Sequence, residues 1–133
     1  MKLCILVAFL AIVSLSNAAV LRYLVKVGGS VEFQMPGKNP IERSVTVDGK
    51  KEKQQFVQYG GDSGFGYFMG VESTNLVNNR YNLNNKTNKF KILNVQKEDA
   101  GEYAENPNLI ETIHPDGKKT FVIGNTFSLS VKE

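Results

Sequence analysis

The stretch that decides the fold is Phe90-Lys91-Ile92-Leu93-Asn94-Val95-Gln96-Lys97-Glu98-Asp99-Ala100-Gly101-Glu102-Tyr103. Its first part alternates, because Phe90 and Ile92 fall on the same face of an extended strand. The pair Glu98-Asp99 then precedes a second short run that starts at Gly101. The pattern predicts two strands that share one core and are joined by a short turn.

Similar runs recur along the chain, separated by Gly, Asn, Asp and Pro. We predict strands at Val20 to Val27, Ser30 to Met35, Ser44 to Val47, Gln55 to Tyr59, Tyr67 to Val71, Arg80 to Leu83, Phe90 to Val95, Gly101 to Glu105, Thr120 to Ile123 and Thr126 to Val131. Many short strands with turn residues between them are typical of an all-β sandwich or barrel. Asp48-Gly49, between the third and fourth runs, predicts a hairpin turn.

The stretch from Phe90 to Tyr103 resembles the E strand, E–F turn and F strand of the immunoglobulin superfamily, V/I-set type. The resemblance covers essentially all of residues 19–133. It implies an all-β, immunoglobulin-like Greek-key β-sandwich in which Asp99, Gly101 and Tyr103 form the tyrosine corner. It also implies an ion pair between Arg80 and Asp99. The alternatives are an ordinary turn followed by a core tyrosine, and two independent surface charges.

The resemblance places Met35 and Glu105 where strands B and F of this family carry the inter-sheet disulfide. The chain has one cysteine, Cys4, so the sandwich is expected to lack that bond. A methionine can fill the gap that the missing sulfur leaves. A carboxylate that points inward must be paired or protonated, so we expect either that the F strand bends outward at Glu105 or that the alignment slips there.

The N-terminus predicts a secretory signal peptide over residues 1–18, followed by one domain over residues 19–133. Lys2 precedes an apolar run from Leu3 to Val13, and small residues at Ser16 and Ala18 suit cleavage after Ala18. The alternative is a membrane anchor, but the run is shorter than the roughly 20 residues that a bilayer span needs. We therefore expect a secreted, extracellular product without a membrane span.

Composition excludes several classes of protein. The formal net charge is +3, and removal of Lys2 lowers it to +2, which is too small for a nucleic-acid-binding domain. One Cys and one His exclude a structural zinc site and a Cys/His nucleophilic pair. Gly61-Asp62-Ser63-Gly64 resembles the nucleophile segment of chymotrypsin-like proteases, but the single histidine, His114, follows it instead of preceding it. We expect no enzyme, no metal and no cofactor.

Candidate contact residues for a partner lie in a glycine-rich stretch. Tyr59, Phe65, Tyr67 and Phe68 stand among five glycines there, and aromatic side chains supply much of the energy of protein interfaces. The alternative is that some of these rings belong to the core. His114 lies in the predicted F–G loop, a second candidate contact.

The sequence therefore predicts a secreted binding module for extracellular protein recognition, at a cell surface or in the matrix, as in cell adhesion. The alternative is a carrier of a small hydrophobic ligand between splayed sheets. Asn85-Lys86-Thr87 is an N-glycosylation sequon, so we expect a glycoprotein modified at Asn85.

Overall fold

The computed structural model describes residues 19–70 and 79–133. The predicted signal peptide, residues 1–18, and the predicted strand end at Val71 lie outside the described residues. The described strands are β1 (Val20–Lys26), β2 (Val31–Gln34), β3 (Ile41–Val47), β4 (Lys50–Gln58), β5 (Phe65–Met69), β6 (Tyr81–Asn84), β7 (Lys89–Ile92), β8 (Gly101–Glu105), β9 (Leu109–Ile113), β10 (Lys119–Ile123) and β11 (Thr126–Lys132). One 3₁₀ turn, Lys97–Asp99, precedes β8.

Nine strands are hydrogen-bonded in the order β1-β11-β8-β3-β4-β5-β6-β7-β2. Neighbours are antiparallel except β1 and β11, which run parallel. The two ends of this order lie face to face, because the rings of Phe33 in β2 and Phe127 in β11 stack with centroids 4.9 Å apart. The strands therefore form two layers: a six-stranded layer from β1 to β5 and a three-stranded layer of β6, β7 and β2.

Aromatic rings fill the space between the layers. Tyr103 of the six-stranded layer lies 5.3 Å from Phe33 and 6.2 Å from Phe90 of the three-stranded layer, between ring centroids. Phe56 meets Phe90 edge-on at 5.1 Å. Tilted and edge-on contacts of this kind are favourable beyond the area that they bury. The two layers are thus held together by packing.

The β3–β4 hairpin turns at Asp48 and Gly49, with φ values of 50° and 80°. Positive φ at both central residues is the turn geometry that Asp-Gly favours. Both strands of this hairpin begin earlier than predicted: β3 begins at Ile41 and not at Ser44, and β4 begins at Lys50, directly after the turn, and not at Gln55. Pairing therefore continues to the very edge of the turn.

Three loops and the β9–β10 hairpin meet at one end of the sandwich, which we call the loop end; the loops are residues 36–40, 59–64 and 85–88. Asn39 Nδ2 donates to Pro107 O (2.9 Å), and Asn82 Nδ2 donates to Ser63 O (2.9 Å). Residues 93–100, which join β7 to β8, lie at the opposite end because residues 85–88 already occupy the other end of β7. We call this opposite end the turn end.

Candidate protein-binding surface

The β9–β10 hairpin collects large apolar side chains on one face. Phe121 lies opposite Glu111 in the register, and Ile123 lies opposite Leu109. Because alternate residues of a strand share a face, Leu109, Glu111, Ile113, Lys119, Phe121 and Ile123 project to the same side. Four of these six are large hydrophobic residues, and Lys119 Nζ and Glu111 Oε1 form an ion pair at 3.3 Å.

These apolar side chains are open to solvent. The exposed fraction is 42% for Leu109, 67% for Ile113, 60% for Phe121 and 52% for Ile123, and none of them belongs to the hydrophobic core. A two-stranded hairpin by itself is only marginally stable in water. The hairpin is therefore an apolar surface that the rest of the described chain does not cover.

Backbone hydrogen bonds join the base of the hairpin to the sandwich. Gly124 N donates to Asn108 O (2.9 Å), and Asn108 Nδ2 donates to Gly124 O (3.1 Å). At the tip, His114 directly follows β9 and lies exposed, with Nε2 3.0 Å from Thr120 Oγ1. The structure thus places His114 in the connection that corresponds to the F–G loop, on the hairpin itself.

A second group of aromatic residues lies on the outer face of β4 and β5. Tyr59 and Tyr67 have ring centroids 5.5 Å apart, and both rings are half-buried, as is Phe65. Met69, on the same face of β5, is exposed. These residues share a face because Phe68, between Tyr67 and Met69, points the opposite way. Tyr59, Phe65 and Tyr67 are therefore accessible in part at the edge of the six-stranded layer.

The prediction that Phe68 is a contact residue is wrong. Its side chain is fully buried, and its ring lies 5.4 Å from that of Phe56 and 4.8 Å from that of Tyr81. The guanidinium carbon of Arg43 sits 4.0 Å from its centroid. The alternation of β5 sends this one aromatic residue of the stretch into the core.

The turn end contains a buried polar cluster, which we call the Asp99 cluster: Arg43, Arg80, Tyr81, Asp99 and Tyr103. Arg80 Nη1 lies 2.6 Å from Asp99 Oδ2, and Arg80 Nη2 lies 3.5 Å from Asp99 Oδ1. The Tyr103 hydroxyl donates to the carbonyl oxygen of Asp99 at 2.6 Å. Both contacts are the ones that the family resemblance implies for these residues.

Two members of the Asp99 cluster are absent from the sequence prediction. Arg43 Nη1 lies 3.1 Å from Asp99 Oδ1 and 3.1 Å from the Tyr103 hydroxyl, and Arg43 Nε donates to Gln54 Oε1 (2.7 Å). The Tyr81 hydroxyl donates to Asp99 Oδ1 (2.5 Å). An arginine in a strand ordinarily indicates a solvent-facing position, so only the neighbouring Val45 and Ile41 on the same face of β3 could have signalled its burial.

Gly101 holds the start of β8 against β3. Its φ is 154°, and a Cβ atom at this position would collide with the backbone oxygen of Ser44. A glycine at this point of the corner is therefore required by the close approach of the two backbones. This contact sets the register that brings Tyr103 beneath Asp99.

Hydrogen bonds fix the protonation states in the Asp99 cluster. Burial acts to raise the pKa of Asp99, but hydrogen bonds from Arg80, from the backbone N–H of Gln96 and from Tyr81 outweigh it and hold that pKa below the ordinary value. Burial raises the pKa of Tyr81 to about 12 and raises that of Tyr103 as well. The cluster is thus an ionised carboxylate between two guanidinium groups and two neutral phenols.

Met35 and Glu105, which the family resemblance places at the positions of the absent disulfide, are both buried. Glu105 accepts two backbone hydrogen bonds from the 36–40 loop, from Gly37 N at 2.7 Å and from Asn39 N at 2.9 Å. The expected outward bend of the F strand at Glu105 is wrong, because β8 keeps its pairing with β3, where Glu105 lies opposite Ile41, and the carboxylate stays inside. Its two carboxyl oxygens accept from main-chain donors, which tie β8 to the loop that follows β2.

Layer order, tyrosine corner and ion pair together define an immunoglobulin-like β-sandwich of the V/I-set type without the inter-sheet disulfide. The five strands β11-β8-β3-β4-β5 match the G-F-C-C′-C″ sheet of variable-type domains, and β6-β7-β2 match D-E-B. The predicted fold class is confirmed.

Several solved structures are similar to this chain. The extracellular fragment of novel immune-type receptor 11 from Ictalurus punctatus is 18% identical, with 88% of each chain covered and a TM-score of 0.48. Novel immune-type receptor 10 of the same fish is 17% identical (86% of this chain, 99% of that one, TM-score 0.46), and CD84 is 16% identical (86% and 98%, TM-score 0.43). Neither a protein-family model nor a curated protein sequence matches the chain.

Two further observations bear on function. Among residues 19–70 and 79–133, no three His, Cys, Asp or Glu side chains come together in a group that could hold a metal ion. The same residues include no helix that is long and apolar enough to cross a bilayer.

Proposed function

We propose that this chain is a secreted, non-catalytic binding module that recognises an extracellular protein through the exposed face of the β9–β10 hairpin. The observation that carries the proposal is the set of four large apolar side chains, Leu109, Ile113, Phe121 and Ile123, that no other described residue covers. Contiguous exposed apolar surface of this kind is typical of interaction sites. The same connection bears His114, a residue that the sequence suggests for this role.

The chemistry of the hairpin favours a protein partner with an apolar patch. Phe121 stands centrally on the face and offers a rigid ring as an anchor for a partner pocket. The adjacent Glu111–Lys119 pair is internally neutral, so the face carries no net charge to attract nucleic acid. The outer strands β9 and β10 each have a free edge within the described residues, which provides backbone donors and acceptors.

Secretion and recognition at a cell surface or in the matrix are part of the proposal. They are supported by the N-terminal pattern of residues 1–18, and loss of Cys4 with that segment would leave a chain without cysteines in an oxidising compartment. The Glu105 hydrogen bonds and the aromatic core supply a link between the layers that needs no oxidation.

The interior gives less support to the carrier hypothesis. A ligand between the layers would have to displace rings that already touch, such as Phe33 on Phe127 and Phe56 on Phe90. The two titratable groups that come nearest to a catalytic centre within residues 19–70 and 79–133 also give little support to catalysis. Asp99 is fully buried beneath its partners, and His114 contacts Thr120 on its own hairpin.

A glycan placed on the hairpin tip tests the proposal. Lys118→Asn creates the sequon Asn-Lys-Thr with Lys119 and Thr120, so expression through a eukaryotic secretory route adds a bulky sugar beside the apolar face. The matched control, Asp48→Asn with Lys50→Thr, places a sugar on the β3–β4 turn at the turn end. The measurement is capture of extracellular and cell-surface proteins, quantified by mass spectrometry.

We expect the wild type and the turn-end control to enrich the same partner and the Lys118→Asn protein to lose it. Undiminished enrichment by a fully glycosylated, folded Lys118→Asn protein would remove the hairpin from the role. Loss of enrichment in the turn-end control alone would assign recognition to the other end of the sandwich.

A further inference from the structure

A polar cleft separates the 59–64 loop from the turn between β6 and β7. Its volume is about 470 Å³, and its lining residues are Asp62, Ser63, Gly64, Asn82, Leu83, Asn84, Asn85 and Lys86. Carboxylate, hydroxyl and amide groups dominate this lining, and such groups hydrogen-bond to sugar hydroxyls. The cleft lies at the loop end, and the 36–40 loop stands between it and the β9–β10 hairpin, since that loop lines a second cavity together with Asn85 and donates a hydrogen bond from Asn39 to Pro107 O.

The side chain of Asn85 lies in the wall of this cleft. Asn85 Nδ2 donates to Gln58 Oε1 at 3.1 Å. Gln58 is itself held, because its Nε2 donates to Leu83 O (2.9 Å) and to Gly64 O (3.1 Å). The Asn85 amide is therefore oriented by a side chain that bridges both walls of the cleft.

Asn85 also heads the only Asn-x-Ser/Thr sequence in the chain, Asn85-Lys86-Thr87. The preceding residue shapes the turn, because Asn84 Oδ1 accepts from Lys86 N (2.9 Å) and Thr87 N (3.2 Å). Asn85, Lys86 and Thr87 are all exposed. The side chain of Asn85 is thus accessible from solvent in the folded domain.

We propose that Asn85 carries an N-linked glycan whose first N-acetylglucosamine lies in this cleft and braces the 59–64 loop against the β6–β7 turn. The donor is a lipid-linked oligosaccharide diphosphate. The bond from the anomeric carbon to the phosphate oxygen breaks, a bond from that carbon to Asn85 Nδ2 forms, and the lipid diphosphate leaves while Nδ2 loses one proton. The inference rests on the secretion that the proposed function includes.

The hydrogen bond to Gln58 survives this chemistry. A glycosylated asparagine keeps one N–H on Nδ2, which continues to donate to Gln58 Oε1 and fixes the direction in which the sugar leaves. The sugar then lies against Ser63 and Asn82, where hydroxyl and amide groups are within its reach. The 59–64 loop contains two glycines with positive φ, Gly61 and Gly64, so it is a segment that a brace would order.

Mass spectrometry of protein made through a eukaryotic secretory route tests the modification. We expect a glycan mass that peptide N-glycosidase removes with conversion of Asn85 to aspartate. Thr87→Ala should abolish the mass and Thr87→Ser should keep it, while both variants leave the Asn85–Gln58 contact in place. An unmodified Asn85 in correctly secreted wild type would overturn the proposal.

Hydrogen exchange tests the position of the sugar. Glycans are trimmed to a single N-acetylglucosamine, and amide exchange is compared between wild type and Thr87→Ala. We expect several-fold slower exchange of the Ser63, Gly64 and Leu83 amides in the wild type. The matched control combines Thr87→Ala with Lys118→Asn, which moves the same Asn-Lys-Thr sequon to an open turn and should give no protection of these amides.

Equal amide exchange in wild type and Thr87→Ala would contradict the placement of the sugar in the cleft, even if Asn85 is modified. Failure of the partner-capture experiment combined with a protected 59–64 loop would refute the hairpin proposal and leave this one standing.

Discussion

The two ends of the sandwich differ in the side chains that they bury and expose. At the turn end, the carboxylate of Asp99 is fully buried, and it meets Arg80, Arg43 and Tyr81 within 3.1 Å. At the loop end, the ring of Phe121 is 60% exposed and touches no other aromatic ring among the described residues. Polar groups are inside at one end and apolar groups are outside at the other.

This difference separates stability from recognition. A buried charge is tolerated only when it is paired, so the Asp99 cluster holds one arrangement of the E–F turn, strand D and strand C. An exposed apolar face gains nothing from folding and gains much from association. Substitutions at the turn end should therefore change the free energy of unfolding, and substitutions on the hairpin should change binding.

The largest effect is expected for Asp99→Ala, which leaves the buried guanidinium of Arg43 without the carboxylate that it contacts and removes one of the two carboxylates that Arg80 contacts. Breaking a buried pair by removal of one partner costs about 3–5 kcal/mol. Urea denaturation measures the loss. The control is Glu98→Gln, since the Glu98 side chain is 62% exposed and its ion pair with Arg80 should contribute at most about 1 kcal/mol. Similar losses for both variants would contradict the special role of Asp99.

The same carboxylate should make the domain sensitive to acid. The folded pKa of Asp99 is lowered, so its stabilisation is present above the unfolded pKa of about 3.9 and is lost as pH falls toward the folded pKa. We expect stability to fall below about pH 4, and Asp99→Asn, measured over the same pH series, to flatten that fall. Parallel curves for the two proteins would place the acid sensitivity in other groups.

A smaller loss is expected for Tyr103→Phe, which keeps the ring in the core and removes the hydroxyl. The carbonyl oxygen of Asp99 and Nη1 of Arg43 then each lose a partner. An unsatisfied buried group costs about 1–3 kcal/mol. Equilibrium denaturation with an unchanged midpoint would show that the corner contributes through ring packing alone.

Glu105→Gln tests whether a carboxylate replaces the missing disulfide as the tie between β8 and the 36–40 loop. Glutamine has one acceptor oxygen where glutamate has two, so either Gly37 N or Asn39 N loses its partner. We expect a loss of about 1–2 kcal/mol. Faster amide exchange of Gly37 and Asn39 should accompany it. An unchanged free energy of unfolding together with unchanged exchange would contradict the tie.

The sequence predicted the framework because its signals were local. The runs Ser30 to Met35 and Thr126 to Val131 indicated strands, and the structure has β2 and β11 there. The spacing of Asp99, Gly101 and Tyr103 resembled a known corner, and one residue of that motif is fixed by a collision that only glycine avoids.

The missed features depend on tertiary contacts. Arg43 is buried because Asp99, Tyr81 and Tyr103, which come from other parts of the chain, contact its guanidinium group. The local sequence of β3 does not indicate these contacts. Strand β9 was not predicted from the sequence. Leu109–Ile113 lies between Pro107 and Pro115, and the apolar face of this strand does not pack on the core. Phe68 was wrongly predicted as a contact residue because it was grouped with Tyr67. Adjacent residues of a strand point to opposite faces, so only one of the two can face outward.

The most direct test of the separation between the two ends measures stability and binding on the same hairpin variant. Ile113→Thr with Phe121→Ser keeps β-forming or small polar residues on the strands and removes the two most exposed apolar side chains of the face. We predict a change in the free energy of unfolding within about 0.5 kcal/mol, as for surface sites, together with loss of partner capture. A clear fall in stability with capture retained would contradict this account, because the hairpin would then belong to the fold and not to the binding surface.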